Sequence, residues 1–160
     1  MLLSIRQAHT DDAPLLAHLN GAVQQIHHEA HPHRYKPAQP DDPTLTAWYA
    51  QQLARANCVI FIAEVAGEEV GYALCLVQDL DETPFRYASK KVHIDQLAVN
   101  ETQRQVGIGS ALLDHVITLA KDHDAERVTL GVAAFNEHAI TFYQRRAFHF
   151  DSMTMELNLK

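Results

Sequence analysis

Basic residues are scarce in this chain: 13 Lys and Arg stand against 20 Asp and Glu, for a formal charge of −7 with the eleven histidines neutral. A surface of that sign is not built to neutralise phosphate backbones, so a nucleic-acid partner is not expected. There are only two cysteines, Cys58 and Cys75. Each lies inside an apolar run, as small core residues of a reducing compartment do, and two thiols alone do not make a metal site. No apolar run approaches the roughly 20 residues that span a bilayer. The opening Met1-Leu2-Leu3-Ser4-Ile5-Arg6 lacks the basic region and long apolar stretch of a secretion signal, so the expected location is cytoplasmic and no membrane partner is expected. Repeats and low-complexity segments are also lacking. What is present is 160 residues at 47% hydrophobic content, enough for one sizeable core and a single domain over 1–160.

The hydrophobic pattern sets the element order. Leu3 to Gln7 reads as a short strand. Thr10-Asp11-Asp12 then offers a cap and acidic first turn to a helix carrying Leu15, Leu16, Leu19 and Val23. Asp42-Pro43 starts a second helix, with Leu45, Trp48, Tyr49 and Leu53 at helical spacing. Cys58 to Val65 and Val70 to Val77 read as a hairpin about Ala66-Gly67, which would allow the two cysteines to lie across from each other. The polar stretch Gln78 to Lys91 reads as a loop. Strand, helix, strand, helix and strand follow, over Val92 to Val99, Gly109 to His123, Arg127 to Val132, Glu137 to Arg146 and Phe150 to Leu159. The expected fold is α/β, a mixed sheet with flanking helices.

The turn Arg104-Gln105-Val106-Gly107-Ile108-Gly109-Ser110 joins the strand ending at Val99 to an amphipathic helix with Leu112, Leu113, Val116, Ile117 and Ala120 on one face. Gly107 and Gly109 allow positive φ and close backbone approach, so amides at the positive end of the helix can converge on an anion. A tight turn that packs helix onto sheet explains the same glycines. The loop is not a P-loop, which needs Lys then Ser or Thr after its last glycine. It also lacks the third glycine of the dinucleotide fingerprint.

The segment Val92 to Phe148 resembles the GNAT superfamily of acetyl-CoA-dependent N-acetyltransferases, whose pyrophosphate loop reads Gln/Arg-x-x-Gly-x-Gly/Ala. Arg104, Gly107 and Gly109 fit that motif, and Leu97-Ala98-Val99, Leu112-Leu113, Asn136, Ala139, Phe142-Tyr143 and Ala147-Phe148 follow its order. The resemblance implies a mostly antiparallel mixed sheet, acetyl-CoA as donor co-substrate, an amine acceptor and, as is common among relatives, a homodimer. By position, the backbone of Leu97, Ala98 and Val99 would hold the pantetheine arm. Gln105, Val106, Gly107, Ile108, Gly109 and Ser110 would wrap the pyrophosphate. Arg104 would either add charge to that cradle or face solvent, and Asn136 would cap a helix, bond the cofactor arm, or both. Gln105 stands where many relatives carry glycine, and Ala147 replaces a glycine common in relatives before the Phe, so a helix ending in left-handed backbone there would be strained by roughly 1 kcal/mol, or would end differently.

Acyl transfer to an amine needs a base for the nucleophile and an acid for the leaving thiolate. Tyr143 matches the family tyrosine that faces the CoA sulfur, although a buried aromatic beside Phe142 would account for its ring alone. A period of two puts His93, Asp95, Leu97 and Val99 on one face of their strand, with Ile94, Gln96 and Ala98 on the other. His93 matches a position where members carry a His or Glu base, and Asp95 would orient it or bind a cationic amine. Relatives that acetylate ribosomal protein termini carry a glutamate where this chain has Gly131, so a small-molecule amine is favoured over a protein terminus. His27, His28, His31 and His33 suggest a metal only through the helical spacing of His27 and His31. Pro32 interrupts that helix, and a loop at the substrate end of the cleft is the preferred reading, with no metal. The alternative to an enzyme is a GNAT-like module that binds acyl-CoA without turnover.

Overall fold

The computed structural model describes residues 2–103 and 107–160, and the chain divides after Leu130 into two units. In the first, five strands lie in chain order across one sheet: β1 (Leu3–Gln7), β2 (Cys58–Val65), β3 (Glu68–Leu80), β4 (Ser89–Val99) and β5 (Arg127–Leu130). Every neighbouring pair is antiparallel except β4 with β5, which is parallel. The mixed, mostly antiparallel sheet is therefore the one the resemblance implies.

Helices cover both faces. α1 (Ala13–Leu19) and α3 (Pro43–Ala54) bury Leu16, Leu19 and Tyr49 against Ile60, Ile62, Tyr72, Leu74 and Leu76. Asp42 caps α3 through Oδ1, which accepts from the Thr44 amide at 2.8 Å, while Pro43 takes the first helical position, where no amide donor is needed. On the opposite side, α4 (Ile108–Asp122) buries Ile108, Leu112, Leu113, Val116 and Ala120, the stripe read from the sequence. Arg6 braces the start of the fold. Its guanidinium reaches both oxygens of Asp12 at 2.8 and 3.0 Å and Glu64 at 2.6 Å. The Arg6 hydrogen bonds hold the Asp12 carboxyl below its ordinary range despite burial.

Several local expectations are corrected. The single helix through Val23 is instead α1 and α2 (Gly21–Ala30), which meet at Asn20, a buried side chain drawn to the Tyr72 hydroxyl at 3.1 Å. The polar stretch 78–91 is strand at both ends: Gln78 pairs with Lys91 and Asp79 with Lys90, where an ion pair of 3.4 Å rewards the alignment, so the connection shrinks to 81–88. The hairpin does turn at Ala66-Gly67, both with positive φ, but its register sets Cys58 opposite Leu76 and Cys75 opposite Val59. The cysteines therefore face opposite sides of the sheet, and both are free. β5 ends at Leu130 rather than Val132.

The second unit, 131–160, holds α5 (Glu137–Arg145). Asn136 caps it, accepting from the Ala139 amide at 3.2 Å. Its end is a Schellman arrangement: the Phe148 amide donates to Tyr143 O and the Ala147 amide to Gln144 O, with Ala147 at φ +67°, the strained of the two ends left open. The strand expected over Phe150 to Leu159 is not formed. A strand is defined by its ladder, and the sheet ends at β5 with no ladder to this segment.

Candidate active site

The centre of the first unit's chemistry is an irregularity in β4. Ile94 lies opposite Cys75 and Gln96 opposite Leu74, so Asp95 is an extra residue with no opposite number on β3. A bulge of this kind shifts the alternation of side chains on either side of it. Cross-strand partners share a face, which places His93 opposite Leu76, Gln96 opposite Leu74 and Ala98 opposite Tyr72 on the side of α1 and α3. Leu97 and Val99 lie opposite Ala73 and Gly71 on the other side. The expected grouping of His93, Asp95, Leu97 and Val99 is thus overturned, because an unbroken period of two does not survive the bulge.

His93 lies on the α1 and α3 side. It is half-buried, and its Nδ1 lies 2.8 Å from the Thr129 hydroxyl, its register partner on β5. Burial lowers its pKa first and the Lys91 charge second, while Asp95 opposes both. Burial thus disfavours the charged ring, and Nε2 lies outside the threonine bond. Asp95 itself is exposed. Its charge also reaches the hydroxyls of Tyr49 and Tyr72, whose titration burial already pushes upward, Tyr72 to about 12.

Beside the bulge lies a buried polar cluster that sequence reasoning missed. The Gln96 carbonyl accepts from Tyr49 at 2.7 Å and from Tyr72 at 2.6 Å, the two hydroxyl oxygens are 2.9 Å apart, and Asn20 Nδ2 donates to Tyr72. Three oxygens share two hydroxyl protons, so one edge of the triangle always lacks a proton. Only the tyrosines' place in apolar surroundings hinted at it, since a buried tyrosine hydroxyl needs a partner.

The β4–β5 ladder runs only from Lys91↔Arg127 to Ile94↔Leu130, and so stops short of Leu97, Ala98 and Val99. That end of β4 is held closely against β3: a Cβ built at Gly71 would meet the Ala98 carbonyl oxygen at 2.6 Å, so only glycine fits there. Downstream, Gly107 adopts φ +83° and opens α4, with Gly109 and Ser110 in its first turn. The positive φ expected of this glycine is present at the helix N-terminus. Arg104, Gln105 and Val106 lie outside the described residues.

Tyr143 and Asn136 belong to the second unit. The Tyr143 ring packs edge-on against Phe142 and Phe148 at 5.0 and 5.4 Å. The histidine-rich segment is more helical than expected, with His27 and His28 on α2. His27 Nδ1 lies 2.9 Å from Val23 O, and His28 Nδ1 lies 2.8 Å from Tyr35 O. Among the described residues no three His, Cys, Asp or Glu side chains gather as metal ligands, and no helix is long and apolar enough to cross a membrane.

Comparison with known proteins places this geometry. The model of the acetyltransferase (GNAT) family matches residues 21–150. An N-alpha-acetyltransferase of Sulfurisphaera tokodaii is 34% identical over 106 residues, covering 63% of this chain and 62% of its own. A second N-alpha-acetyltransferase, from Sulfolobus acidocaldarius, is 30% identical over the same shares. The match thus spans less than two thirds of the length of these relatives. A tetramutant of a Bacillus halodurans protein has the same fold at TM-score 0.91 and 24% identity, covering 98% of this chain and 99% of its own. A predicted acetyltransferase of Clostridium acetobutylicum, solved with acetyl-CoA, aligns at TM-score 0.74 and 23% identity over 99% and 97% of the two chains.

Proposed function

Since the chain belongs to the acetyltransferase (GNAT) family, we propose that it moves an acetyl group from acetyl-CoA to a primary amine by direct attack in a ternary complex. The observation that carries this reading is the end of the β4–β5 ladder at Ile94, where His93 and the bulged Asp95 stand at the head of a strand that continues to Leu97, Ala98 and Val99. Backbone of those three residues would hold the pantetheine arm. The turn Arg104 to Ser110, with Gly107 left-handed at the start of α4, would hold the pyrophosphate, and Asn136 would add a bond to the arm.

His93 serves as base. With Nδ1–H donating to the Thr129 hydroxyl, Nε2 carries the lone pair that takes a proton from the ammonium or attacking amine. The amine nitrogen bonds to the thioester carbonyl carbon, the C–S bond breaks, and Tyr143 gives its hydroxyl proton to the departing thiolate. Asp95 offers a carboxylate to a cationic acceptor and raises the basicity of His93. Neither thiol is a nucleophile: burial pushes Cys58 up to about 11 and Cys75 to about 12.

The acceptor is a small-molecule amine, a reading supported by Gly131, which offers no carboxylate where terminus-acetylating relatives have one. A peptide α-amine is the second reading, favoured by the names of the Sulfurisphaera and Sulfolobus relatives. Thiol release measured over a panel of polyamines, aminoglycosides, amino acids and peptides separates them, and CoA binding without release on any amine would replace catalysis with a sensor role. On an accepted amine, Tyr143→Phe should lose most of kcat. His93→Ala should remove the acidic limb of kcat/KM, and an unshifted limb excludes the histidine. Because Asp95 raises the His93 pKa, Asp95→Asn should move that limb to lower pH.

A further inference from the structure

The bulge at Asp95 turns Gln96 to the side of β4 that carries His93. There the Gln96 amide is fixed end for end. Asn20 Nδ2 donates to the Tyr72 hydroxyl at 3.1 Å, which leaves the Tyr72 proton for Gln96 Oε1 at 2.6 Å, and Tyr49 reaches the same oxygen at 2.7 Å. An amide turned the other way would set its own N–H groups against the Tyr72 proton. Oε1 is thus taken up by the tyrosines, while no described residue accepts from Nε2. Every wholly buried side-chain nitrogen or oxygen among the described residues has a partner, so Nε2 is a donor that the first unit leaves open. Asp95 adds a carboxylate whose charge is felt on the same side, at Tyr49, Tyr72, Cys58 and His93.

We propose that Gln96 determines acceptor specificity, its Nε2 donating to an oxygen of the acceptor, which is accordingly an amine bearing a nearby hydroxyl or carbonyl oxygen and not a plain alkyl polyamine. This assignment rests on the acyl-transfer reading and adds the acceptor's class to it. His93 and Asp95 address the reacting nitrogen, and Gln96 then offers a neutral donor beside them. The second ammonium of a polyamine has no lone pair for that donor, whereas a hydroxyl or carbonyl oxygen has. His93 and Gln96 are three residues apart on β4, at most about 10 Å along the strand, so one small acceptor can touch both side chains. Amino alcohols and α-amino carbonyl compounds, a peptide terminus among them, share the required chemistry. An amide already locked by two tyrosines recognises such an oxygen without being ordered at the moment of binding.

Thiol release from acetyl-CoA should be compared within pairs of similar shape, ethanolamine against propylamine and glycinamide against isobutylamine. The oxygen-bearing member should have the higher kcat/KM by about tenfold in at least one pair, and that pair names the oxygen. Gln96→Glu keeps an oxygen for the two tyrosines but loses the donor, so the ratio should fall close to one. Gln96→Met, which has neither, should do the same. Both members of a pair are assayed on one sample, so the ratio does not move with the fraction of folded protein, as a purely structural effect of the variants would. A variant that keeps the wild-type ratio overturns the assignment. So does wild type with equal kcat/KM within both pairs, whether or not the variants fold, and acyl transfer then still stands. Release from none of these amines, nor from any of the wider amine panel, removes the acyl-transfer reading and the role of Gln96 with it.

Discussion

The units before and after Leu130 are held together by different means. Residues of the first bury side chains on both faces of a five-stranded sheet, with Leu74, Tyr72, Val92 and Leu112 wholly inaccessible, whereas none from 131 to 160 is buried. Folding strength in the first comes from area removed from water. The second shows local devices instead: the Asn136 cap, the Schellman end at Ala147 and the Tyr143 ring against Phe142 and Phe148. Changes of equal size should therefore have unequal consequences in the two.

Leu74→Ala is the severest test of that contrast. A fully buried leucine at the centre of the sheet leaves a cavity on truncation, with an expected loss of about 2–5 kcal/mol in urea unfolding. Native-state hydrogen exchange should accelerate throughout β2, β3 and β4 while the amides of α5 keep their rates. Acceleration of both by the same factor would mean that the units open together.

The buried triangle offers a finer break within the first unit. Tyr72→Phe strands Asn20 Nδ2 without its acceptor, so a loss of about 1–3 kcal/mol is expected. Tyr49→Phe instead relieves the edge that lacks a proton and leaves Tyr72 donating to Gln96, so its loss should be the smaller. The reverse order in thermal melts would refute this proton assignment. Next comes the Arg6–Asp12 pair. The folded pKa of Asp12 is lowered, so its contribution is complete above the unfolded value near 3.8 and is lost as pH falls through the folded one. Asp12→Asn should flatten the acid limb of stability, whereas a substitution in 131–160 should not.

The sequence was legible where one residue type had one solution. The α4 stripe, the Asp42-Pro43 start, the turn at Ala66-Gly67 and the left-handed Gly107 each follow from local sterics or a single buried face. The Asp95 bulge was not legible, since Val92, Ile94, Leu97 and Val99 are apolar on either side of it and a strand covered on both faces carries no clear alternation. The 81–88 connection was misjudged because cross-strand pairing, not hydropathy, extends β3 and β4. Likewise Thr129 could not be paired with His93 without the parallel register of β5. The strand expected over Phe150 to Leu159 does not form, because apolar residues in a row cannot by themselves supply a ladder.

The smallest expected effect lies in the second unit and has the opposite sign. Ala147 holds φ +67° to complete the Schellman end of α5, a conformation in which Cβ crowds the backbone, and Phe148 packs on Tyr143 across the same turn. Ala147→Gly removes the Cβ strain but gives the unfolded chain more freedom, so the net gain should be at most about 1 kcal/mol. It should appear as slower exchange of the α5 amides alone, with no change in β2 to β4. A gain spread evenly over both units would show that α5 and the sheet share one cooperative transition, and that the contrast between core-held and cap-held structure is one of burial but not of stability.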